Sequence, residues 1–355
     1  MVLVLKNREM QGILEMSELI EAVEAAFKEH ALGIAVNRPR SRIRIPKPEA
    51  GLTYFFNNLA GAVPCFDAMA LRIDSVFSRD VEVAGKKRRE YPGDFTGLVF
   101  LFNMEDARLL AIMDDHYPSG MRVGATSGVG TRYLARADAK TLGLYGTGEQ
   151  ARTQLMAVAA VRNIEHVKVF SPNPEHRRNF ARDMGRLLGL AVDAVDDPRE
   201  VARGADIVTV ATNTIEPVLM GKWLEPGTHI NSIVGGDIHQ KRQELDDEAV
   251  RRSEVIVVNS REQIFLDKQA ELYDRIEAGI IQKEDIHELG DLLLKKISGR
   301  TNPEQITLFK NNTGMGIQFA ATAHKIYQAA RKKGIGTELD SNLFITQREG
   351  KSYSP

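Results

Sequence analysis

Cysteine is almost missing from this 355-residue chain: only Cys65 is present, so no intramolecular disulfide can form and the redox compartment is left open. That thiol lies in an apolar stretch and is expected to be a buried structural residue rather than a reactive one. Net charge is missing too. Lys and Arg number 47 and Asp and Glu 48, a formal charge of -1, so no global field draws in nucleic acid or an anionic membrane. No segment approaches the roughly 20 apolar residues of a membrane span, and the opening Met1-Val-Leu-Val-Leu-Lys lacks the order of a secretory signal. A cytoplasmic protein with neither membrane nor nucleic acid as partner is the expectation. The eight histidines show no His-x3-His spacing and no Cys/His cluster, so no metal is implied.

What is present is a globular composition, 43% hydrophobic and 27% charged, on a chain too long for one ordinary core. From Thr141 onward, β-like apolar runs alternate with helical stripes: strands at Thr141–Tyr145, His166–Phe170, Ala191–Val195, Asp206–Thr212, His229–Val234 and Val255–Asn259, with helices at Glu149–Arg162 and Pro174–Leu188 between the first three. That alternation predicts a parallel sheet covered on both faces. The first 130 residues differ. A helix at Ser17–Ala31 precedes β-branched segments at Ser41–Ile45, Leu52–Phe56, Met69–Val76, Gly97–Asn103 and Leu109–Asp114, an antiparallel pattern. A small-residue helix at Met121–Arg136 leads into the parallel unit. A last helix at Met315–Lys333, its Ile317, Ala320, Ala321, His324 and Tyr327 on one face, is expected to pack on the N-terminal sheet. The fold class is α/β: a Rossmann dinucleotide-binding domain over 131–315, and an α+β substrate and dimerisation domain built from 1–130 and 316–355. Within it, the cationic tract Lys86-Lys-Arg-Arg89 between Gly85 and Pro92-Gly93 reads as a hairpin or solvated surface loop rather than a phosphate contact.

Gly146-Thr147-Gly148-Glu-Gln150-Ala151 follows the first of these strands and opens a helix. Its first glycine permits the tight turn, the second lets backbone approach a pyrophosphate, and the small third residue lets helix and strand pack closely; the helix N-terminus offers N–H groups to the phosphates. The end of the second strand selects between cofactors. A carboxylate there would hold a ribose diol and repel a 2′-phosphate. This chain has Ser171, Asn173, Arg177 and Arg178 instead, which favours NADP over NAD, although Glu175 could reach a ribose hydroxyl and the arginines could be a solvated first helical turn.

Several motifs in order resemble the ornithine cyclodeaminase/μ-crystallin family: Met121-Arg122-Val-Gly-Ala-Thr-Ser127, Tyr133-Leu-Ala-Arg136-Ala-Asp138, the glycine fingerprint, Asp206-Ile-Val-Thr-Val-Ala211-Thr212, Gly227-Thr-His-Ile-Asn-Ser-Ile-Val234-Gly235-Gly236-Asp237 with Glu244-Leu-Asp246 behind it, and Lys310-Asn-Asn-Thr-Gly-Met-Gly316. The resemblance implies a homodimer, an amino- or imino-acid substrate held between the domains, and chemistry at its Cα–N bond. It implies that Ala211, Thr212, Val234 and Gly235 join the cofactor site, and that Arg122 and an arginine at Arg40 or Arg42 bind the substrate carboxylate. Spacing does not choose between Arg40 and Arg42. Asp237 matches the proton-transfer acid of the cyclodeaminases, although an aspartate beside two glycines is also a turn former. One departure matters. Arg72 stands where many members carry a lysine, and an arginine can clamp a carboxylate but not act as a base. An imino-acid reductase or amino-acid dehydrogenase is therefore expected ahead of a cyclodeaminase or a non-catalytic nucleotide-binding protein.

Overall fold

Strands buried on both faces must be apolar along their whole length, and Thr141–Tyr145, with Leu142, Gly143, Leu144 and Tyr145 all buried, is such a strand. In the computed structural model, which describes residues 1–83 and 86–346 and leaves out the side chains of residues 83 and 86–88, this strand is central. On one side it pairs with His166–Phe170 and then Ala191–Ala194. On the other follow Ile207–Val210, His229–Ser232, Thr307–Lys310, Val255–Val258 and Ile286–Glu288, every pair parallel. The strand order reverses between Thr141–Tyr145 and Ile207–Val210. At such a switch point the loops diverge and leave a crevice at the C-terminal strand ends.

The second sheet has nine strands among the described residues. They run in the order Thr337–Leu339, Val2–Leu5, Leu109–Asp114, Thr96–Asn103, Ala68–Val83, Leu52–Val63 and Val36–Asn37, with Ser41–Lys47 also on Leu52–Val63 and Lys86–Glu90 on Ala68–Val83. All pairs are antiparallel except Val2–Leu5 with Leu109–Asp114. The cationic tract forms the returning strand of a long hairpin; Ala84 and Gly85, and the Lys86, Lys87 and Arg88 side chains, lie outside the described residues.

Helix Gly316–Lys333 lies on one face of this sheet, and Met16–Ala31 and His116–Leu134 pack against that helix, joining Phe27, Val129, Ile317 and Ala321 to Leu59, Ala70, Val99 and Met113 in one core. Fully burying each of the larger of these side chains contributes about 1.5–3 kcal/mol. The last helix thus packs where its apolar face required. The other sheet face stays half-open and apolar: Leu71 sits opposite Ala60 and Phe100, Phe100 opposite Ile112, and Ile73 opposite Leu98.

Helix His116–Leu134 joins the two units. A Cβ on Gly124 would come within 2.6 Å of the Thr153 carbonyl oxygen, so only glycine lets this helix lie so close to Glu149–Val161, the helix opened by the glycine fingerprint. One expectation fails. Cys65 is exposed, because its apolar stretch is a turn, Pro64–Phe66, between two strands rather than a core segment. Partial burial and the neighbouring Glu29 push its thiol up to about 11, so it is not a reactive thiolate.

Candidate functional site

At the switch point, Gly146 has φ +105°, and a Cβ there would run into the Ala211 carbonyl. Backbone geometry and space together demand glycine. Ala211 in turn donates its N–H to the Tyr145 carbonyl at 2.9 Å, tying the two strand ends together. Gly148 is the N-cap of Glu149–Val161. No side chain caps the helix, and nothing lies within 4 Å of the place a Cβ would occupy. Here uncapped N–H groups face open space, as an anion site at a helix N-terminus requires. Ala151 is fully buried beneath them, Thr147 is half-buried beside them, and the Gln150 Oε1 is buried without a hydrogen bond. This cradle fits the pyrophosphate of a dinucleotide.

Around the second strand end the side chains are more committed than their identities suggested. Ser171 is buried. The Asn173 Oδ1 accepts from the N–H groups of Glu175 and His176, making it the helix cap. Arg177 is buried against Phe170, donates to the Ser171 carbonyl at 3.0 Å and pairs with Asp196. Its guanidinium braces the strand end. Arg178, one residue on, is exposed.

Across the crevice the N-terminal sheet presents arginines. Arg40, Arg42 and Arg44 are two apart, so an extended chain puts them on one face. The structure separates the two that spacing could not. Arg42 is spent in a two-pronged pair with Asp267, at 2.5 and 3.2 Å. Arg40 has a buried Nε without a partner, and burial with the charges of Arg42 and Arg72 pushes it down to about 10. Arg122 is similar. Its Nη1 donates to the Gln318 Oε1 at 3.0 Å, its guanidinium lies over Phe319, and its Nε is buried and unpartnered. Burial, then the charges of Arg40 and Arg72, push it down to about 9. Arg72 is held from below by Asp115 at 2.5 Å and Asp74 at 2.9 Å. Arg40 and Arg122, each with an unsatisfied buried donor and each depressed by its guanidinium neighbours, form with Arg72 a cluster suited to an anion. Arg42 belongs to the frame of this site rather than to its open donors.

Asp237 comes from the opposite wall. Its Oδ1 accepts from the N–H groups of His239 and Gln240, and its Oδ2 lies 3.6 Å from the Arg44 Nη2. Burial raises its carboxyl, but those N–H groups and the charges of Arg44 and Arg42 outweigh burial and hold it below the ordinary range. Asp237 is thus both turn former and anion beside the arginines. Val234 is buried and Gly235 exposed just before it, on the loop leaving His229–Ser232, and the Thr212 N–H donates to Glu244 on the neighbouring loop. Gln318 was not anticipated. The signal was a lone amide within the apolar run Ile317-Gln-Phe-Ala320, where a buried polar side chain needs partners; its Nε2 donates to the Thr126 Oγ1 and its Oε1 also accepts from the Met315 N–H.

A doubly wound sheet with a phosphate cradle, facing a carboxylate-shaped cluster of arginines, defines an NAD(P)-dependent oxidoreductase. The chain matches the model of the ornithine cyclodeaminase/mu-crystallin family over residues 2–334, and it belongs to that family. It is 32% identical over 340 residues to the Δ1-pyrroline-2-carboxylate reductase of Bacillus cereus, covering 96% of this chain and all of that one. Among solved structures, the Thermococcus litoralis Δ1-pyrroline-2-carboxylate reductase in complex with NADH and L-proline superposes with a TM-score of 0.83 at 34% identity, covering 95% of this chain and 100% of that one. An archaeal alanine dehydrogenase dimer with bound NAD superposes with a TM-score of 0.80 at 27% identity, covering 96% and 99%.

Proposed function

We propose that this protein is an imino-acid reductase that takes a small cyclic or open imine bearing a carboxylate next to the C=N carbon, uses NADPH in preference to NADH, and works as a homodimer. The observation that carries the reading is the cluster of Arg40, Arg72 and Arg122, with the Nε of Arg40 and of Arg122 buried and unpartnered opposite the cofactor strand ends. A carboxylate satisfies those donors in pairs, and fixing it fixes the neighbouring carbon.

A nicotinamide dinucleotide bound at Gly146–Ala151 and along Ala211, Thr212, Val234 and Gly235 supplies or takes up a hydride at that carbon. The chain's own residues do the rest. Arg72, spread between Asp74 and Asp115, cannot swing away, so it defines the floor against which Arg40 and Arg122 hold the carboxylate. Asp237 remains ionised near neutral pH, which suits an anion that stabilises a protonated, more electrophilic C=N nitrogen. In the reverse direction the same carboxylate can accept that proton. No lysine stands at position 72 to serve as a base, which supports net redox chemistry over cyclodeamination.

NADPH preference is supported by the absence of an acid at Ser171 and by the exposed Arg178 in the first turns of the helix that follows; Arg177, braced on Asp196, sets the strand end rather than meeting a phosphate. The apolar open face of the N-terminal sheet supports the dimer. The relatives named as pyrroline-2-carboxylate reductases make that imino acid the first substrate to try. Loss of nicotinamide absorbance matched by formation of the amino acid is the expected result. Ammonia release from a diamino acid with no net absorbance change would assign cyclodeaminase chemistry instead, and tighter binding of NADH than NADPH would reverse the cofactor preference.

A further inference from the structure

Strands Ile207–Val210 and His229–Ser232 are neighbours on one side of the switch point, and the loops that follow them, Ala211–Thr212 and Ile233–Gly235, border the cofactor crevice. As they leave the sheet, the Ala211 N–H still reaches the Tyr145 carbonyl and the Ile233 N–H the Val210 carbonyl at 3.3 Å, but a single fully buried carboxylate shares the Ile233 N–H and takes the next N–H groups. The Glu244 Oε1 accepts from the Thr212 N–H at 2.8 Å and the Thr212 hydroxyl at 2.9 Å. Its Oε2 accepts from the N–H groups of Ile233 at 3.0 Å and Val234 at 3.1 Å. Glu244 itself is fixed from behind. Its own N–H and that of Leu245 donate to the Glu271 Oε2, and the Lys310 Nζ donates to the Glu271 Oε1 and to the Ser232 Oγ, each at 2.7 Å. The Ser232 hydroxyl lies within hydrogen-bond reach of both carboxylates.

Two carboxylates to one ammonium, all nearly inaccessible to solvent, is an expensive way to fill a core, and apolar residues of equal volume would do so at least as well. Apolar residues, however, could not hold two diverging loops at a set spacing. We propose that Glu244 is a positioning residue: it fixes the spacing of the Thr212 and Ile233–Val234 loops, which together form the wall against which the nicotinamide half of the cofactor lies, with Glu271 and Lys310 holding Glu244 in register. The proposal rests on the reading of this crevice as a nicotinamide dinucleotide site. It separates two halves of the cofactor, because the phosphate cradle at Gly146–Ala151 and the strand end at Ser171 make none of these contacts with Glu244.

Glu244→Gln tests it. One acceptor oxygen becomes an amide donor aimed at N–H groups on one loop or the other, so that loop must move. Fluorescence titration should show NADPH binding weakened at least about tenfold, while 2′-phospho-ADP-ribose, which lacks the nicotinamide, binds within about twofold of wild type. Ser232→Ala, which keeps every backbone contact of Glu244 and removes only the bridging hydroxyl, should shift the same ratio in the same direction by a few-fold, on the order of one lost neutral hydrogen bond. Equal weakening of both ligands would show a merely structural role, and no change in either would remove Glu244 from the site; both overturn the proposal. Should Glu244→Gln fail to fold, an unchanged ratio in Ser232→Ala overturns it alone. A wild-type protein that binds neither NADPH nor NADH would instead overturn the cofactor reading itself.

Discussion

Arg122 combines two requirements that lysine cannot meet. Its Nη1 must reach Gln318 while its Nε stays free for a ligand. Arg122→Lys keeps the charge and loses the fork, so kcat/KM for the imino acid should fall at least about tenfold, the roughly 1.4 kcal/mol of one good charge-assisted bond. NADPH affinity, read by fluorescence, should stay within twofold, an on-the-order-of margin set by the assignment to substrate rather than phosphate. The motif points to Arg122, and the structure places it beside Arg40 and Arg72. Arg40 could not be told from Arg42, because the discriminating partner, Asp267, lies 225 residues away in the chain and only the fold brings it to Arg42. Of the two acids that immobilise Arg72, Asp74 lies two residues along the same strand, but Asp115, at the start of the next helix, meets it only through the fold. His229 sets a limit of another kind. It is fully buried, and desolvation with the charges of Arg300 and Arg162 pushes it down to about 3. Its folded value lies below its unfolded one, near 6.5, so the unfolded chain takes up a proton that the folded chain refuses. Stability is therefore complete above about pH 6.5 and falls as pH drops toward 3, with a slope approaching about 1.4 kcal/mol per unit. Thermal unfolding of His229→Gln should lose this slope between about pH 6.5 and 4.5; an unchanged slope would place the acid sensitivity elsewhere.

Helix His116–Leu134 carries Arg122 and lies against the helix that follows the glycine fingerprint, so in the proposed site its packing would set the distance from substrate to cofactor. Gly124→Ala would drive a Cβ to within 2.6 Å of the Thr153 carbonyl oxygen, which cannot retreat without moving the cofactor helix. Overpacking of this kind costs about 1–3 kcal/mol. Differential scanning should show a lower Tm, and steady-state kinetics a higher KM for the imino acid; wild-type values of both would mean that the two helices have slack. At this scale periodicity was a good guide where an element is long or buried on both sides. The strands Thr141–Tyr145, His166–Phe170 and Leu109–Asp114 run as their apolar patterns indicate. It failed for Val2–Leu5, Ile286–Glu288 and Thr337–Leu339, three- and four-residue strands too short to show a period, whose partners are remote in the chain. It also stopped Leu52–Phe56 and Met69–Val76 short, because both strands run on past the polar and small residues that ended the pattern.

For the whole molecule, two ion pairs clasp the sheet unit to the dinucleotide unit, Arg42 with Asp267 and Arg44 with Asp237, beside the crevice proposed as the site. The half-open apolar face of the N-terminal sheet lies on the side away from its covering helices. A second copy laid on that face would remove it from water, so Phe100→Asp should convert a dimer into a monomer in light scattering at micromolar concentration, while a wild-type monomer would contradict the assembly. The central claim is that the enzyme reduces imines by reading a carboxylate with Arg40, Arg72 and Arg122. The measurement closest to it compares kcat/KM for Δ1-pyrroline-2-carboxylate with that for the same ring lacking the carboxylate, in wild type and in Arg122→Met. Two charge-assisted contacts of about 1.5–3 kcal/mol each predict a preference above about a hundredfold in wild type that collapses in the variant. Equal rates on the two imines in wild type, or an undiminished preference in Arg122→Met, would contradict it.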